Sequence, residues 1–237
     1  MLRGKNVMDL TYVNNKEKSR RFSFGKNGKD GSAFSASYVR KPFYTFVKRG
    51  LDIVCSLVAL ILLSPLMLIT AIAIFIDDPG PVLFRQIRIG KDKKPFKILK
   101  FRSMKMNAEK VKASLMKQNQ DKGANFKMDH DPRVTRVGRI IRATSIDELP
   151  QLINIIKGDM AVIGPRPFIE EEQKKLPSDR LLVKPGLSCY WQISGKNNLS
   201  LPEQINLDRK YINERSLIVD TKIVFLTFSH VFTGKNE

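Results

Sequence analysis

Cysteine, histidine and tryptophan are scarce in this chain: two, two and one among 237 residues. Cys55 and Cys189 cannot make a disulfide framework, and two cysteines with two histidines leave no donor set for a structural zinc site. A reducing, cytoplasm-facing setting is the expectation. Acidic residues are also short, 23 Asp and Glu against 42 Lys and Arg, a formal charge of +19. Such a surplus points to a polyanionic partner: nucleic acid, an anionic membrane face or phosphorylated substrates. Aromatic residues are few and are mostly Phe in apolar runs, not interleaved with the basic residues as single-stranded nucleic-acid binding needs; no nucleic-acid partner is expected. The N-terminus lacks the apolar central region of a secretory signal. Residues 1–40 are polar, basic and rich in Gly, Ser, Asn and Lys, and read as a disordered tail, either solvated or drawn to anionic lipid.

One long hydrophobic run is present. From Ile53 to Ile76 no residue is charged, over 24 positions, which meets the length of about 20 residues that a membrane-crossing helix needs. Ser64-Pro65 interrupts it, and proline removes a helix hydrogen bond and crowds the preceding turn. Two halves of about a dozen residues reach roughly 18 Å each, short of a hydrocarbon core of about 30 Å. Basic residues flank both sides: Lys48 and Arg49 before, Arg85, Arg88, Lys91, Lys93 and Lys94 after. Cytoplasmic flanks are enriched in Lys and Arg, so both ends are expected on one side, in a re-entrant helix-break-helix. The alternative is a kinked spanning helix. Carbonyls freed at the break would need partners from Ser64 or nearby chain.

Beyond the run, residues 81–101 read as two strands joined at Gly90-Lys91-Asp92. Residues 103–119 read as a polar helix and 120–132 as a loop. Leu149, Leu152, Ile153 and Ile156 fall on one helical face, with Gly158 as the stop. Pro150 is tolerated only near that helix's start, which predicts Asp147 as N-cap and the Asp147-Glu148 pair at a helix N-terminus. Gly164-Pro165-Arg166-Pro167 is a stiff loop presenting one arginine. Residues 201–213 form a helix opened by Pro202, and 216–232 an interfacial helix.

Asp147 and Glu148 lie among Arg133, Arg136, Arg139, Arg142 and Arg166. Arginine grips phosphate oxygens as a planar fork. Carboxylates in such a cluster either neutralise it, cap a helix, or bind a divalent cation and act on a phosphoryl group. Mg²⁺ suits the last use, completing its shell with water and substrate phosphate. A carboxylate at a helix N-terminus amid arginines is expected to be held below its ordinary pKa.

Several strings now stand in order: Lys48-Arg49-x-x-Asp52, Ser64-Pro65, Gly80 to Gln86 with Arg88 and Gly90, Lys100 to Met104, Asp131 to Arg136 with Gly138, Ser145 to Gln151, Gly158 to Met160, Ile163 to Pro167, Lys184 to Leu187, Trp191-Gln192 and Ser194 to Asn197. With them the chain, from about Lys41 to Phe232, resembles a bacterial sugar transferase of the monotopic polyprenyl-phosphate phosphoglycosyl transferase superfamily. The resemblance implies an α+β monotopic membrane protein: a tail (1–40), a re-entrant membrane helix (41–79) marked by Lys48, Arg49, Ser64 and Pro65, a cytoplasmic catalytic domain (80–215), and a C-terminal interfacial helix and tail (216–237). It implies transfer of a sugar-1-phosphate from a UDP-sugar to polyprenyl phosphate at the cytoplasmic face of the bacterial cytoplasmic membrane. Asp147 would be the nucleophile, releasing UMP. Asp147 and Glu148 would hold Mg²⁺, and Arg142, Arg166, Lys196, Arg102, Arg136 and Gln192 would bind substrate. Anionic membrane lipids are the further partner. At Lys196 the family commonly has arginine, and at Cys189-Tyr190 glycine and an apolar residue. Two rival readings remain: a membrane-anchored basic binding protein, and an enzyme without a covalent intermediate.

Overall fold

The computed structural model describes residues 41–106, 108, 131–194 and 199–232, the last three by backbone alone. The expected tail, most of the expected polar helix and loop between 103 and 130, and Lys196 lie outside the described residues.

The apolar run forms one helix, α1 (Pro42–Asp77), of 36 residues. It is long and apolar enough to cross a membrane by length and composition. Helical hydrogen bonding carries on across the expected break at Ser64-Pro65. The reason is local. Pro65 has no N–H to give the Ile61 carbonyl, and the Ser64 hydroxyl donates to that carbonyl instead, at 2.8 Å. The group orphaned by the proline is satisfied within one turn.

Both ends of α1 are held by the same body of chain. Near the start, Arg49 donates to the carbonyls of Ile155 and Ile156 at 2.5 and 2.8 Å, and the Asp52 carboxylate accepts from the Val162 amide. At the far end, Asp77 accepts from the Val137 amide at 2.9 Å. Ala59 and Leu60 pack on Ile98, Leu152, Ile155 and Met160, and Met67 and Ala71 pack near Ile74, Phe101 and Ile141. The opposite side of the helix is bare: Ile61, Leu62, Ile69 and Ile76 are between 65% and 74% exposed. An apolar face of that extent calls for an apolar solvent or partner.

Strands β1 (Leu83–Ile89) and β2 (Pro95–Phe101) form an antiparallel hairpin with Leu83 opposite Phe101 and Ile89 opposite Pro95. Its turn closes through the Gly90 amide on the Lys94 carbonyl. Helix α2 (Arg136–Ala143) is capped by Thr135, which accepts from the Gly138 amide. Helix α3 (Gln151–Lys157) ends at Gly158 in the left-handed region, φ 96°, as glycine at that position allows. Asn154, on α3 and fully buried, takes the place of a neighbouring strand for β2. Its amide donates to the Lys97 carbonyl and its oxygen accepts from the Leu99 amide. That pair fixes the register between β2 and α3.

Strand β3 (Ala161–Ile163) pairs in parallel with β4 (Gly186–Ser188). Between them run the loop 164–169, the short helix α4 (Glu170–Gln173) and a single-turn helix at Ser178–Leu182. After β4 come α5 (Tyr190–Ile193), α6 (Leu201–Glu214) and α7 (Leu217–Phe232). Helix α6 opens on a capping box in which Glu203 accepts from the Ser200 amide, with Pro202 in its first turn. A second core joins Ile163, Ile193, Tyr211, Ile212 and Ile223. The Asp220 carboxylate is buried beneath it and accepts from Tyr44 and Tyr211 while pairing with Lys48, so α7 is tied to the start of α1. Mixed helix and small sheets agree with the α+β expectation.

Candidate active site

The carboxylate pair sits in a tight one-turn helix, Ile146–Glu148, that precedes α3. Ser145 enters that turn in the left-handed region at φ 57°. This corrects the expected N-cap: Pro150 occupies the cap position of α3, and Asp147 caps nothing. Proline fits there because the position needs no amide donor. The consequence is a pair set one turn ahead of the helix, facing the hairpin.

Lys100, from β2, meets both acids. Its ammonium lies 2.6 Å from Glu148 Oε1 and 3.7 Å from Asp147 Oδ2. Arg166 approaches Glu148 Oε1 to 4.0 Å. Glu148, Lys100 and Arg166 share a cleft with Arg88, Gln151 and Gln192, floored by Ile98, Pro167 and Leu187. Asp147 does not itself line this cleft: it is only 9% exposed and reaches the cleft through Lys100, which it shares with Glu148.

Burial pushes the Asp147 carboxyl above the ordinary carboxylate range, and the like charge of Glu148 pushes the same way; Lys100, Arg142 and Arg166 pull it down without prevailing. The expected depression is therefore corrected. Proximity to arginine lowers a carboxyl pKa, but a nearly enclosed carboxylate loses more hydration than those partners return. Burial first, and then repulsion from Arg166, also bring the Arg88 guanidinium down to about 10.

Each arm of the cleft is braced. Arg88 donates to the Pro167 carbonyl at 3.2 Å and to Gln86 Oε1 at 2.6 Å, and lies 3.7 Å from Glu172. Arg166 lies over the Trp191 ring, 5.6 Å from its centroid, a cation–π distance. Cys189 donates from its thiol to Gln192 Oε1 at 3.2 Å.

Of the residues expected from sequence, the structure brings Glu148, Arg166 and Gln192 into one cleft, with Asp147 next to Glu148 but outside the lining. Arg142 is exposed on α2 and acts on Asp147 by charge. Arg136 is exposed at the start of α2, away from the cleft lining. Arg102 is elsewhere: it is buried, donates to the Asp78 carbonyl and lies 3.5 Å from Asp78 Oδ2. It clamps the end of α1 and does not line the cleft. Lys48 and Arg49 likewise bind within the protein. Three cleft residues were not among those expected to bind substrate: Arg88, Lys100 and Gln151. The signal for Lys100 was strand alternation, because it shares a face of β2 with Phe96 and the buried Ile98.

Two adjacent carboxylates with cationic neighbours suit a divalent ion that takes one or two carboxylates and completes its shell from substrate phosphate. Among the described residues no group of three or more His, Cys, Asp or Glu is assembled, so a caged, all-protein metal site is not available there. Chemically, the cleft offers an acceptor-rich carboxylate pair facing three fixed cations, an arrangement fit for a phosphorylated ligand.

Residues 43–234 match the family described as bacterial sugar transferase. A galactosyl transferase, CpsE, of Streptococcus agalactiae is 42% identical over 200 residues, covering 81% of this chain and 43% of that protein. The UDP-N-acetylgalactosamine-undecaprenyl-phosphate N-acetylgalactosaminephosphotransferase of Aeromonas hydrophila is 42% identical over 207 residues, 84% of this chain and 46% of that protein. The exopolysaccharide production protein ExoY of Rhizobium meliloti is 39% identical over 204 residues, 83% of this chain and 90% of that protein. The chain thus spans less than half the length of the first two and nine tenths of the third.

Proposed function

The chain belongs to the bacterial sugar transferase family, and from that premise we propose that it moves a sugar-1-phosphate from a UDP-sugar to undecaprenyl phosphate or a similar polyprenyl phosphate. The observation that carries this reading is the Asp147-Glu148 turn set against Lys100, Arg88 and Arg166 in one cleft. The name of the Aeromonas hydrophila relative points the same way, since it specifies sugar-phosphate transfer to undecaprenyl phosphate. The reported relatives differ in their sugar, galactose in one name and N-acetylgalactosamine in another, so the cleft is assigned to UDP-sugars as a class.

In the first step an Asp147 carboxylate oxygen attacks the sugar-proximal phosphorus. The bond from that phosphorus to the bridging oxygen breaks, and UMP leaves with the electron pair. In the second step a phosphate oxygen of the lipid attacks the same phosphorus, the acyl phosphate bond breaks, and Asp147 is regenerated. Attack needs the ionised carboxylate, and its raised pKa makes it the more basic nucleophile once ionised. Arg88, Arg166 and Lys100 stand ready-placed to offset negative charge on the donor phosphates. Mg²⁺, when bound, would be held by Asp147 and Glu148 and would neutralise phosphate charge.

The membrane geometry we infer is re-entrant, with the catalytic body on the cytoplasmic face. Its support is that Arg49 and Asp77, near opposite ends of α1, bind the same body of chain, with Pro65 between them in the helix. Anionic lipid would meet the exposed Arg136, Arg139 and Arg142 around Ile140 on α2. The activity would begin assembly of a surface polysaccharide or glycoconjugate.

The test is incubation of the purified, detergent-solubilised chain with Mg²⁺ and a panel of UDP-sugars. Release of UMP and a phosphosugar adduct on Asp147 are expected, followed by lipid product when undecaprenyl phosphate is added. No UMP from any UDP-sugar, or full activity in Asp147→Asn, would overturn the reading.

A further inference from the structure

Arg166 reaches the cleft from a loop whose backbone has few ways to be held. Pro165 and Pro167 carry no amide hydrogen, so the loop is fixed through its carbonyls. Pro165 accepts from the Gly186 amide, Pro167 from Arg88, and Phe168 from the Ile89 amide. The carbonyl of Arg166 itself accepts from the Nη2 of Arg180 at 2.8 Å.

Arg180 is 2% exposed and does not line the cleft. Its Nε and Nη2 both donate to Asp208 Oδ2, at 3.0 and 2.7 Å, and its Nη1 donates to Gln173 Oε1 at 3.0 Å. Its guanidinium lies over the Phe168 ring at 4.5 Å. One planar fork therefore touches α6, α4 and two residues of the loop that carries Arg166. A buried ion pair is a poor source of net stability compared with apolar packing of the same volume. What this pair does supply is direction, because its geometry leaves one arm aimed at a single carbonyl. The adjacent pair, Arg209 with Asp179 at 2.6 Å, fastens the same two segments, α6 and the turn at Ser178–Leu182.

We propose that Arg180, oriented by Asp208, is a positioning residue that sets the reach of Arg166 toward the donor phosphates. The inference rests on the reading of the cleft as a UDP-sugar site. Lysine keeps the charge of Arg180 but has no fork, so it cannot hold Asp208 and the Arg166 carbonyl in one plane. The effect passes through Arg166, so it vanishes when the Arg166 side chain is gone.

The experiment is a double-mutant cycle on the full chain, with Arg180→Lys and Arg166→Ala singly and together. UMP release is measured against UDP-sugar and against undecaprenyl phosphate. Arg180→Lys is expected to raise KM for the UDP-sugar about tenfold or more, in line with the sensitivity of bound geometry to small displacements, with KM for the lipid unchanged. In the Arg166→Ala background the same change is expected to do nothing further. An equal fold-change in both backgrounds, or equal losses for both substrates, overturns the proposal. Should Arg180→Lys not fold, Asp208→Glu carries the same comparison with the same two outcomes. A wild-type chain that releases no UMP fails the reading of the cleft, and this inference with it. Activity in wild type with an additive cycle fails this inference alone.

Discussion

Gly186→Ala tests how the loop carrying Arg166 is seated. A Cβ built on Gly186 would lie 2.0 Å from the Gly164 nitrogen and 2.6 Å from its oxygen. Both contacts are backbone, so no side chain can swing aside, and β3 and β4 must part by about 1.5 Å or more to restore ordinary van der Waals separation. Such parting strains the bonds that join the strands: Gly164 amide to Ser188 carbonyl, Gly186 amide to Pro165 carbonyl, and Ala161 amide to Pro185 carbonyl, at 3.0, 3.0 and 2.8 Å. At about 1 kcal/mol each, losing two or three costs about 2–3 kcal/mol. For a chain of this size that lowers Tm by about 4–12 °C. Arg166 lies two residues beyond Gly164, so a displacement of about 1.5 Å or more at its anchor is expected to slow UMP release about 100-fold or more. Thermal unfolding in detergent and UMP release from a UDP-sugar read the two effects. A variant with unchanged Tm and unchanged rate would refute the reasoning, because it would mean the two glycine strands do not approach as described.

Asp147→Asn is expected to abolish transfer and to stabilise the fold at neutral pH. The folded carboxyl is raised above its ordinary value of 3.8, so the wild type is fully stable below that value and loses stability as pH rises through the folded pKa. The gap in chemical-denaturation midpoint between Asn variant and wild type should therefore open with rising pH; a gap that closes would contradict the burial argument. Asp220→Ala leaves Lys48, Tyr44 and Tyr211 without their shared acceptor, and is expected to cost about 3–5 kcal/mol, read as a lower Tm and faster proteolysis between α6 and α7. Cysteines introduced one at a time at Phe43 and Lys91, in a background without Cys55 and with only the buried Cys189 left, should both resist an impermeant maleimide in intact cells and both react after permeabilisation. Labelling of only one in intact cells would mean that α1 crosses the bilayer.

Much of this arrangement was legible in the sequence where the signal is local. The hairpin followed from Gly90 between alternating runs, and α6 from Pro202 at its opening. The placement of the acids was missed by one turn because Ser145 adopts a left-handed conformation that glycine or asparagine would have announced. Pro150 gave no help, since it suits the cap position as well as the first turn. The charge state of Asp147 was also out of reach. Neighbouring arginines can be counted along the chain, but burial depends on packing against β2, which only the fold brings over. Arg102 shows the same limit: next to Lys100 in a basic string, it turns to the opposite side as β2 ends and clamps Asp78.

The apolar helix is more than an attachment for the site, because it grips three of the site's supports. Arg49 binds the last carbonyls of α3, whose leading turn carries Asp147 and Glu148. Asp77 binds the start of α2, which carries Arg142. Asp78 is clamped by Arg102, two residues beyond Lys100 and just past the end of β2. Asn154 then locks α3 to β2 from within. A shift of either end of α1 therefore moves a carboxylate, a cation or both relative to the cleft. On the proposed reading, the depth at which α1 rests in lipid is also what sets the height of Asp147 relative to the lipid phosphate it must meet. A chain whose acceptor cannot leave the bilayer needs that height fixed, and contacts at both ends of one helix fix it where a flexible tether could not.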